Sequence, residues 1–357
     1  MPDFNALNAK IAALRKGLFD KETYEKLMNL QNDEDLPRFL EFNPLYKRLV
    51  ASFKERFQNF DSESASPRMY MQSLYGFEHF IKQNEANVLY KLKNFAGKEL
   101  SRLVSALILK YEAEDLKLIF SAFNSKTPLD LETYMLTLRK SKYIDHDRLL
   151  NSKNIYDFVK QLSKSPFAAA FAGESDFEND LKQFHLQMNL DRAIFLETNK
   201  AIDSFDPKDK KILKKYFDTL TDIVDLEWVM RAKYYYSLTS EEIYNYSLKS
   251  GRFFKGEALK NLVYAQDFSG LIRVLKRSPY KEALNHYKDP LNITNFLTAA
   301  LFKKTVSGLL NYQSDISTFL RFYLEFETQN KNIIIVSQAL RYDKSGYNYV
   351  NSLIVTP

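Results

Sequence analysis

The sequence predicts an all-α protein, and three observations predict it. Long stretches place apolar residues at helical spacing, as in Leu100, Leu103, Val104, Leu107, Ile108 and Tyr111. Only 9 of 357 residues are glycine, too few for an all-β chain rich in tight turns or for glycine-rich nucleotide cradles. Three prolines stand where one helical pattern stops and an aromatic-rich one begins: Asn43-Pro44-Leu45-Tyr46, Ser165-Pro166-Phe167 and Ser278-Pro279-Tyr280. Proline suits the first turn of a helix and pushes the residue before it out of the αR region, so each joint ends one helix and sets the angle of the next. The prolines lie 122 (166 − 44) and 113 (279 − 166) residues apart, the period of a repeated helical unit.

In chain order, residues 4–19 read as an amphipathic helix, and Asp20-Lys21-Glu22-Thr23-Tyr24-Glu25 opens a second with Asp20 as N-cap. The first proline joint follows. Residues 59–69 are polar and read as a mobile loop. A long helical region, 70–123, breaks near Gly97, and Leu118, Ile119 and Ala122 extend the apolar stripe of its second half. Asp115 fills the stripe position between Tyr111 and Leu118, where an acid needs a partner or an opening to water. After Thr127-Pro128 the chain restarts at Asp130-Leu131-Glu132 and reaches the second joint.

A helix near 176–205 ends at Asp206-Pro207, and another runs from about 208 to 236. Its stripe is Leu213, Tyr216, Phe217, Leu220, Val224 and Trp228, with Glu227 on the stripe and Asp225 near its edge. The stretch from Leu238 to Ile243 has the form of a capping box, and Gly251 and Gly256 flank a loop before the third joint. The last long helix carries Ile316, Phe319, Leu320, Tyr323, Leu324 and Ile334, with Glu327 and Asn330 on the same stripe. Its run Ile333-Ile334-Ile335-Val336 is β-branched, but the surrounding period is helical.

The long helices share a second signature. Glu112 with Asp115, Asp222 with Asp225, and Glu327 with Asn330 each stand at i, i+3, offset by 110 (222 − 112) and 105 (327 − 222) residues. Two signatures of nearly one period divide the chain into three helical units, 1–125, 126–235 and 236–357, with the N-terminal helices placed to close against the last unit.

Much chemistry is excluded. There is no cysteine, hence no disulfide, thiol catalysis or cysteine metal site, which fits a reducing compartment. His79, His146, His185 and His286 are isolated from one another, and no zinc-binding pair occurs. The N-terminus lacks the pattern of a signal peptide, and no apolar run is long enough to span a bilayer. The net charge of +6 is modest and interleaved with acids. The densest basic run, Lys208 to Lys215, reads as a solvated helix face, with nucleic acid or lipid headgroups as the functional alternatives. Asp222, Asp225 and Glu227 have the form of carboxylates that share magnesium in an all-helical prenyl- or diphosphate-transfer enzyme. No second acidic motif faces them, and capping or cross-helix bonding is the simpler reading. No catalytic residue, cofactor or metal is therefore expected.

Taken in order, several segments resemble one family over almost the whole chain: the C subunit of the V-type (A-type) ATPase, similar to the d subunit of the eukaryotic enzyme. They are Leu14 to Leu27, Lys110 to Ile119, Asp222 to Leu226, Ser278 to Leu284 and Glu327 to Ile334. The chain departs from the family pattern at Asp115 and Asp225, where Asn is usual, at Leu45, where an aromatic is usual, and at Lys331, where an apolar residue is expected. The resemblance implies a funnel of three similar helical domains about a pseudo-threefold axis. It implies a non-catalytic socket on the cytoplasmic side of a membrane, between the central stalk (D/F type subunits) and the proteolipid rotor ring. Glu112, Asp115, Asp222, Asp225, Glu327 and Asn330 are then the candidate polar positions, as buried joints or as a lining that grips the stalk.

Overall fold

The computed structural model describes residues 4–32, 35–57, 67–171, 180–286, 290–312 and 314–342. Every regular element among them is helical. In order these are α1 (Phe4–Arg15), α2 (Lys21–Met28), α3 (Asp35–Leu40), α4 (Lys47–Phe57), α5 (Pro67–Lys93), α6 (Lys98–Ser125), α7 (Leu131–Tyr134), α8 (His146–Leu150) and α9 (Ile155–Gln161). They continue with α10 (Asp180–Asp203), α11 (Pro207–Tyr234), α12 (Ser240–Tyr246), α13 (Gly256–Val263), α14 (Phe268–Lys276), α15 (Pro290–Leu309) and α16 (Asp315–Tyr342). The loop expected at 59–69 falls mainly on 58–66, outside the described residues, as does the tail after Gly346. Among the described residues no helix is long and apolar enough to cross a membrane.

The chain divides into two compact units, Met1–Ser165 with Thr318–Pro357, and Pro166–Ser317. The first is built on the hairpin of α5 and α6, which turns at Gly97; α1, α4 and α7 pack on α5, and α8 packs on α6. Because α6 has neighbours on more than one side, it buries more than a single stripe: Leu103, Val104, Ile108, Leu116 and Ile119 are all inside. Leu118, expected on the stripe, is instead 41% exposed, and Leu116 takes the interior place. Phe158 of α9 closes one end, its ring 5.2 Å from Phe120 and 5.3 Å from Phe123.

The second unit packs α11 along α15, with α10 beside α11 and the short helices α12 to α14 completing the layer. Its core joins Phe184, Leu226, Val229, Leu259, Leu262, Leu271 and Ile293. Local chemistry sets the helix ends. Asp206 accepts from the amides of Lys208 and Asp209, with Pro207 at the first helical position of α11. Thr239 and Glu242 form a reciprocal capping box at α12.

The three joints share a polar residue before the proline but differ after it. The hydroxyls of Ser165 and Ser278 donate to the carbonyls of Leu162 and Leu275, at 2.7 and 2.8 Å, and close off the preceding helix. At the first joint the carbonyl of Asn43 accepts from Lys47, four residues on, and an α-helix follows. At the other two, bonds that span three residues follow, from Ala170 to Phe167, from Lys281 to Ser278 and from Ala283 to Tyr280. The segments Ala168–Phe171 and Lys281–His286 are accordingly tight 3₁₀ turns, not the α-helices the proline pattern predicts.

Candidate functional site

The paired polar residues on the long helices are the most unusual groups in the interior. On α6, Asp115 is fully buried. Its Oδ1 accepts from the Leu136 amide at 2.7 Å, and its Oδ2 accepts from the Thr137 amide at 2.9 Å and the Thr137 hydroxyl at 2.6 Å. Nε2 of His146, the first residue of α8, lies 3.1 Å from the same Oδ2. Asp115 therefore ties the loop after α7 and the start of α8 to α6. Its partner Glu112 is less well served. Tyr90 donates to Oε1 at 3.4 Å, and Oε2 has no hydrogen-bond partner among the described residues. Burial pushes the Glu112 carboxyl up, and the Ser141 hydroxyl and the Tyr90 phenol offset part of that shift.

On α11, Asp222 holds the loop after α12. Oδ1 accepts from the Phe254 amide and Oδ2 from the Phe253 amide, both at 2.8 Å, and the Tyr280 hydroxyl donates to Oδ2. Gly251 is required here because a Cβ would lie 1.9 Å from Asp222 Oδ1. Burial raises the Asp222 carboxyl, opposed by Tyr280 and the loop amides. One turn on, Oδ1 of Asp225 accepts from the Leu248 amide at 2.8 Å, while Oδ2 has no partner among the described residues. Burial pushes this carboxyl up to about 7, against the amides of Leu248 and Lys249.

These positions reverse one expectation. Asp225, placed near the edge of the stripe, is fully buried; Glu227, placed on it, keeps 39% of its side chain exposed and lies 3.7 Å from Arg231. The stripe is turned toward Asp225 because loop amides, not an apolar neighbour, cover that face of α11.

On α16 the pair splits. Glu327 Oε1 accepts from Lys110 Nζ at 2.7 Å, and the same ammonium donates to Glu85 Oε1 at 3.1 Å and Tyr323 OH at 3.3 Å. Burial would raise the Glu327 carboxyl, but Lys110 and then Lys331 hold it well below the ordinary range. Burial would likewise lower the Lys110 ammonium, and Glu327 with Glu85 outweighs it. Lys331, where an apolar residue was expected, is exposed and lies 3.6 Å from Glu327. Asn330 Oδ1 accepts from the Tyr46 hydroxyl at 2.6 Å. The N-terminal loop is held by Gln329, whose Oε1 accepts from the Phe19 amide at 2.6 Å and whose Nε2 donates to the Gly17 carbonyl at 3.1 Å.

The two sequence signatures thus meet. An aromatic hydroxyl from just after a proline joint reaches the polar pair of a long helix twice, as Tyr46 to Asn330 and as Tyr280 to Asp222. Phe167, after Pro166, has no hydroxyl to donate. Sequence reasoning missed the loops that complete these clasps, and a signal for them exists. Leu14-Arg15-Lys16-Gly17, Leu138-Arg139-Lys140-Ser141 and Leu248-Lys249-Ser250-Gly251 recur at offsets of 124 (138 − 14) and 110 (248 − 138). Arg139 and Lys249, at the same place in the last two loops, share a left-handed backbone, with φ of 56° and 62°. Gln329 and Lys110 were also missed, the first because it lies outside the i, i+3 pair, the second because its partners are distant in sequence.

The six predicted positions do not converge on one reaction centre. Their oxygens are turned to backbone amides, a histidine, tyrosines and a lysine, and among the described residues no group of three His, Cys, Asp or Glu side chains is arranged to hold a metal ion. The magnesium reading also loses Glu227, which turns to Arg231.

Comparison with known proteins addresses the same span. The profile of the ATP synthase (C/AC39) subunit family matches residues 7–345. The C subunit of the A-type ATP synthase of Methanosarcina acetivorans is 24% identical over 351 residues, covering 96% of this chain and 85% of the relative. The proteins of the same name from Methanococcoides burtonii and Methanobrevibacter smithii are 22% and 23% identical, covering 95% and 94% of this chain and 91% and 83% of their own lengths. All three long helices with their polar pairs and all three proline joints fall inside the matched residues, and the chain belongs to the ATP synthase (C/AC39) subunit family.

Proposed function

We propose that this chain is the non-catalytic socket of a rotary A-type/V-type ATPase, joining the central stalk to the membrane rotor ring on the cytoplasmic face and transmitting torque for ion transport. The family match over residues 7–345 carries the reading. The polar interior supports it: Asp115, Asp222 and Lys110 are saturated by partners that hold loops and helices in place, an arrangement suited to stiffness and not to turnover. Three similar helical units about a pseudo-threefold axis, 1–125, 126–235 and 236–357, belong to the same proposal. The recurrent loops at Leu14, Leu138 and Leu248 favour them, and the pairing of Phe19 with Gln329 suits a last unit that takes in the N-terminal helices. Candidate partners are D/F type stalk subunits and the proteolipid ring.

The test is a membrane complex purified with and without this chain. The reading expects the chain to co-purify with stalk and ring, and expects its removal to abolish ATP-driven ion transport while the detached catalytic head still hydrolyses ATP. Hydrolysis or diphosphate transfer by the isolated chain, lost on substitution of Asp222, would overturn it in favour of the enzyme.

A further inference from the structure

The basic run of α11 plays no part in the clasps. The structure sorts its lysines into two sets. Lys210 and Lys214 turn to Asp203, at 2.7 and 3.7 Å. Lys208, Lys211 and Lys215 lie exposed along one face, at i, i+3 and i+7, with no ion pair among the described residues. The helix that packs along α11 adds to them: α15 exposes Lys303 and Lys304 in its last turns, likewise unpaired among the described residues. Just beyond, Leu310 is 59% and Tyr312 44% exposed. Ser314 hydrogen-bonds Asp209 in the first turn of α11, so these two side chains sit at the end of the unit that carries Lys208.

The acids at this end are Asp206, Asp209 and Asp315. Asp206 is turned to the helix amides. Asp209 is half-buried against Ser314, its carboxyl raised first by burial and then by Asp206. Five unpaired lysines against three acids leave a positive end with an aliphatic and an aromatic side chain at its tip. No arginine occurs between residues 193 and 230 or between 278 and 320. Lysine is a compact charge on a flexible stem and lacks the planar fork that fixes a carboxylate or phosphate in one pose. A folded acidic partner rewards such a pose, whereas a fluid layer of headgroups asks only for charge density. Exposed Leu and Tyr side chains fit the boundary just beneath such a layer.

We propose that this end of the second unit is a docking surface for anionic phospholipid headgroups, with the five lysines facing the lipid phosphates and Leu310 and Tyr312 entering the interface. The contact goes beyond the coupling role and does not depend on it, since the chain alone would make it without stalk or ring.

The test is co-sedimentation of the full chain with vesicles of phosphatidylcholine, with and without phosphatidylglycerol, at low and high salt. Binding is expected only to the anionic vesicles and is expected to disappear at high salt. K208E/K211E/K215E should cut partitioning at low salt about 100-fold, and L310S/Y312S should weaken it at low salt as well. K153E/K160E/K164E makes the same change in net charge elsewhere and should leave binding intact. Thermal melts check folding, and Gln in place of Glu at the three α11 positions gives the same reading if the reversed charges unfold the chain. Failure to bind, equal binding to both vesicles, undiminished binding of the α11 variant, or equal loss in the control variant would each overturn the proposal. So would an α11 variant that keeps its vesicle binding but drops out of the assembled complex, which would assign the lysines to an acidic protein.

Discussion

The clasps on α6 and α11 are written alike in sequence and differ in what they ask of their acid. Asp115 and Asp225 each follow another acid by one helical turn, each is buried, and each stands where the family resemblance expects Asn. Around Asp115 three donors of the Leu136–Thr137 segment occupy both oxygens, and His146 stands beside them. Around Asp225 loop amides serve one oxygen, and the other has no partner among the described residues. A desolvated oxygen without a donor favours the neutral acid, so Asp225 is suited to replacement by an amide of the same shape. Asp115 instead offers two acceptor oxygens to three donors, which an amide with one oxygen cannot match. On α11 the fully partnered acid stands one turn back, at Asp222, which accepts from two amides and a tyrosine.

Four single substitutions, one of them also combined with D222N, bear on that difference. The largest loss is expected from D115N, which turns an amide NH2 against existing donors at one of the two oxygens. Denaturant unfolding should show a loss of about 3–4 kcal/mol, and a loss below about 1 kcal/mol would mean that a single side-chain oxygen suffices for the donors around Asp115. Next is G251A, whose Cβ would strike Asp222 Oδ1 at 1.9 Å and displace either the loop or the acid. The expected loss is about 2–3 kcal/mol, and D222N combined with it should cost little more, because both break the same clasp.

D225N is expected to act in the opposite direction. Burial raises the Asp225 carboxyl from 3.8 to about 7, so the folded chain keeps a proton that the unfolded chain gives up between those values. The stability this group supplies is whole below 3.8 and falls away as pH rises to about 7, beyond which it stays lost. D225N should flatten the wild-type decline across that window. Above it the variant should be the more stable, by on the order of 2 kcal/mol once an unpartnered Asn amide is discounted. Chemical unfolding of both chains at pH 5 and pH 8 reads the sign, and a variant less stable than the parent at pH 8 would show that Asp225 is held as an anion. The smallest effect belongs to Y280F, which removes one of three donors to Asp222 and should cost about 1 kcal/mol in the same assay, less than D115N by the number of contacts that survive.

The elements were largely legible in the sequence because their signals are local. Asp20 and Thr239 cap the helices they were expected to cap, and Asp206, expected only to break a helix, caps the next one, since a cap bonds amides two or three residues on. The break at Gly97 and the helical reading of Ile333 to Val336 held for the same reason. Errors appear where a neighbour far along the chain sets the outcome. Leu118 is exposed because α6 is covered on sides its own period does not specify. The rank of Asp225 and Glu227 depends on a loop more than 20 residues away, which no stripe on α11 encodes. The turns after Pro166 and Pro279 are 3₁₀ because proline fixes the entry to a helix and not its pitch.

Helix class, caps, joints and the spacing of the polar pairs follow from the chain alone, because each is settled by backbone geometry within a few residues. How those polar groups are partnered was decided only by the fold. How many amides and hydroxyls face each buried oxygen is set by the tertiary structure, and here those donors arrive from loops 21 to 32 residues away, or, for Asn330, from Tyr46, 284 residues away.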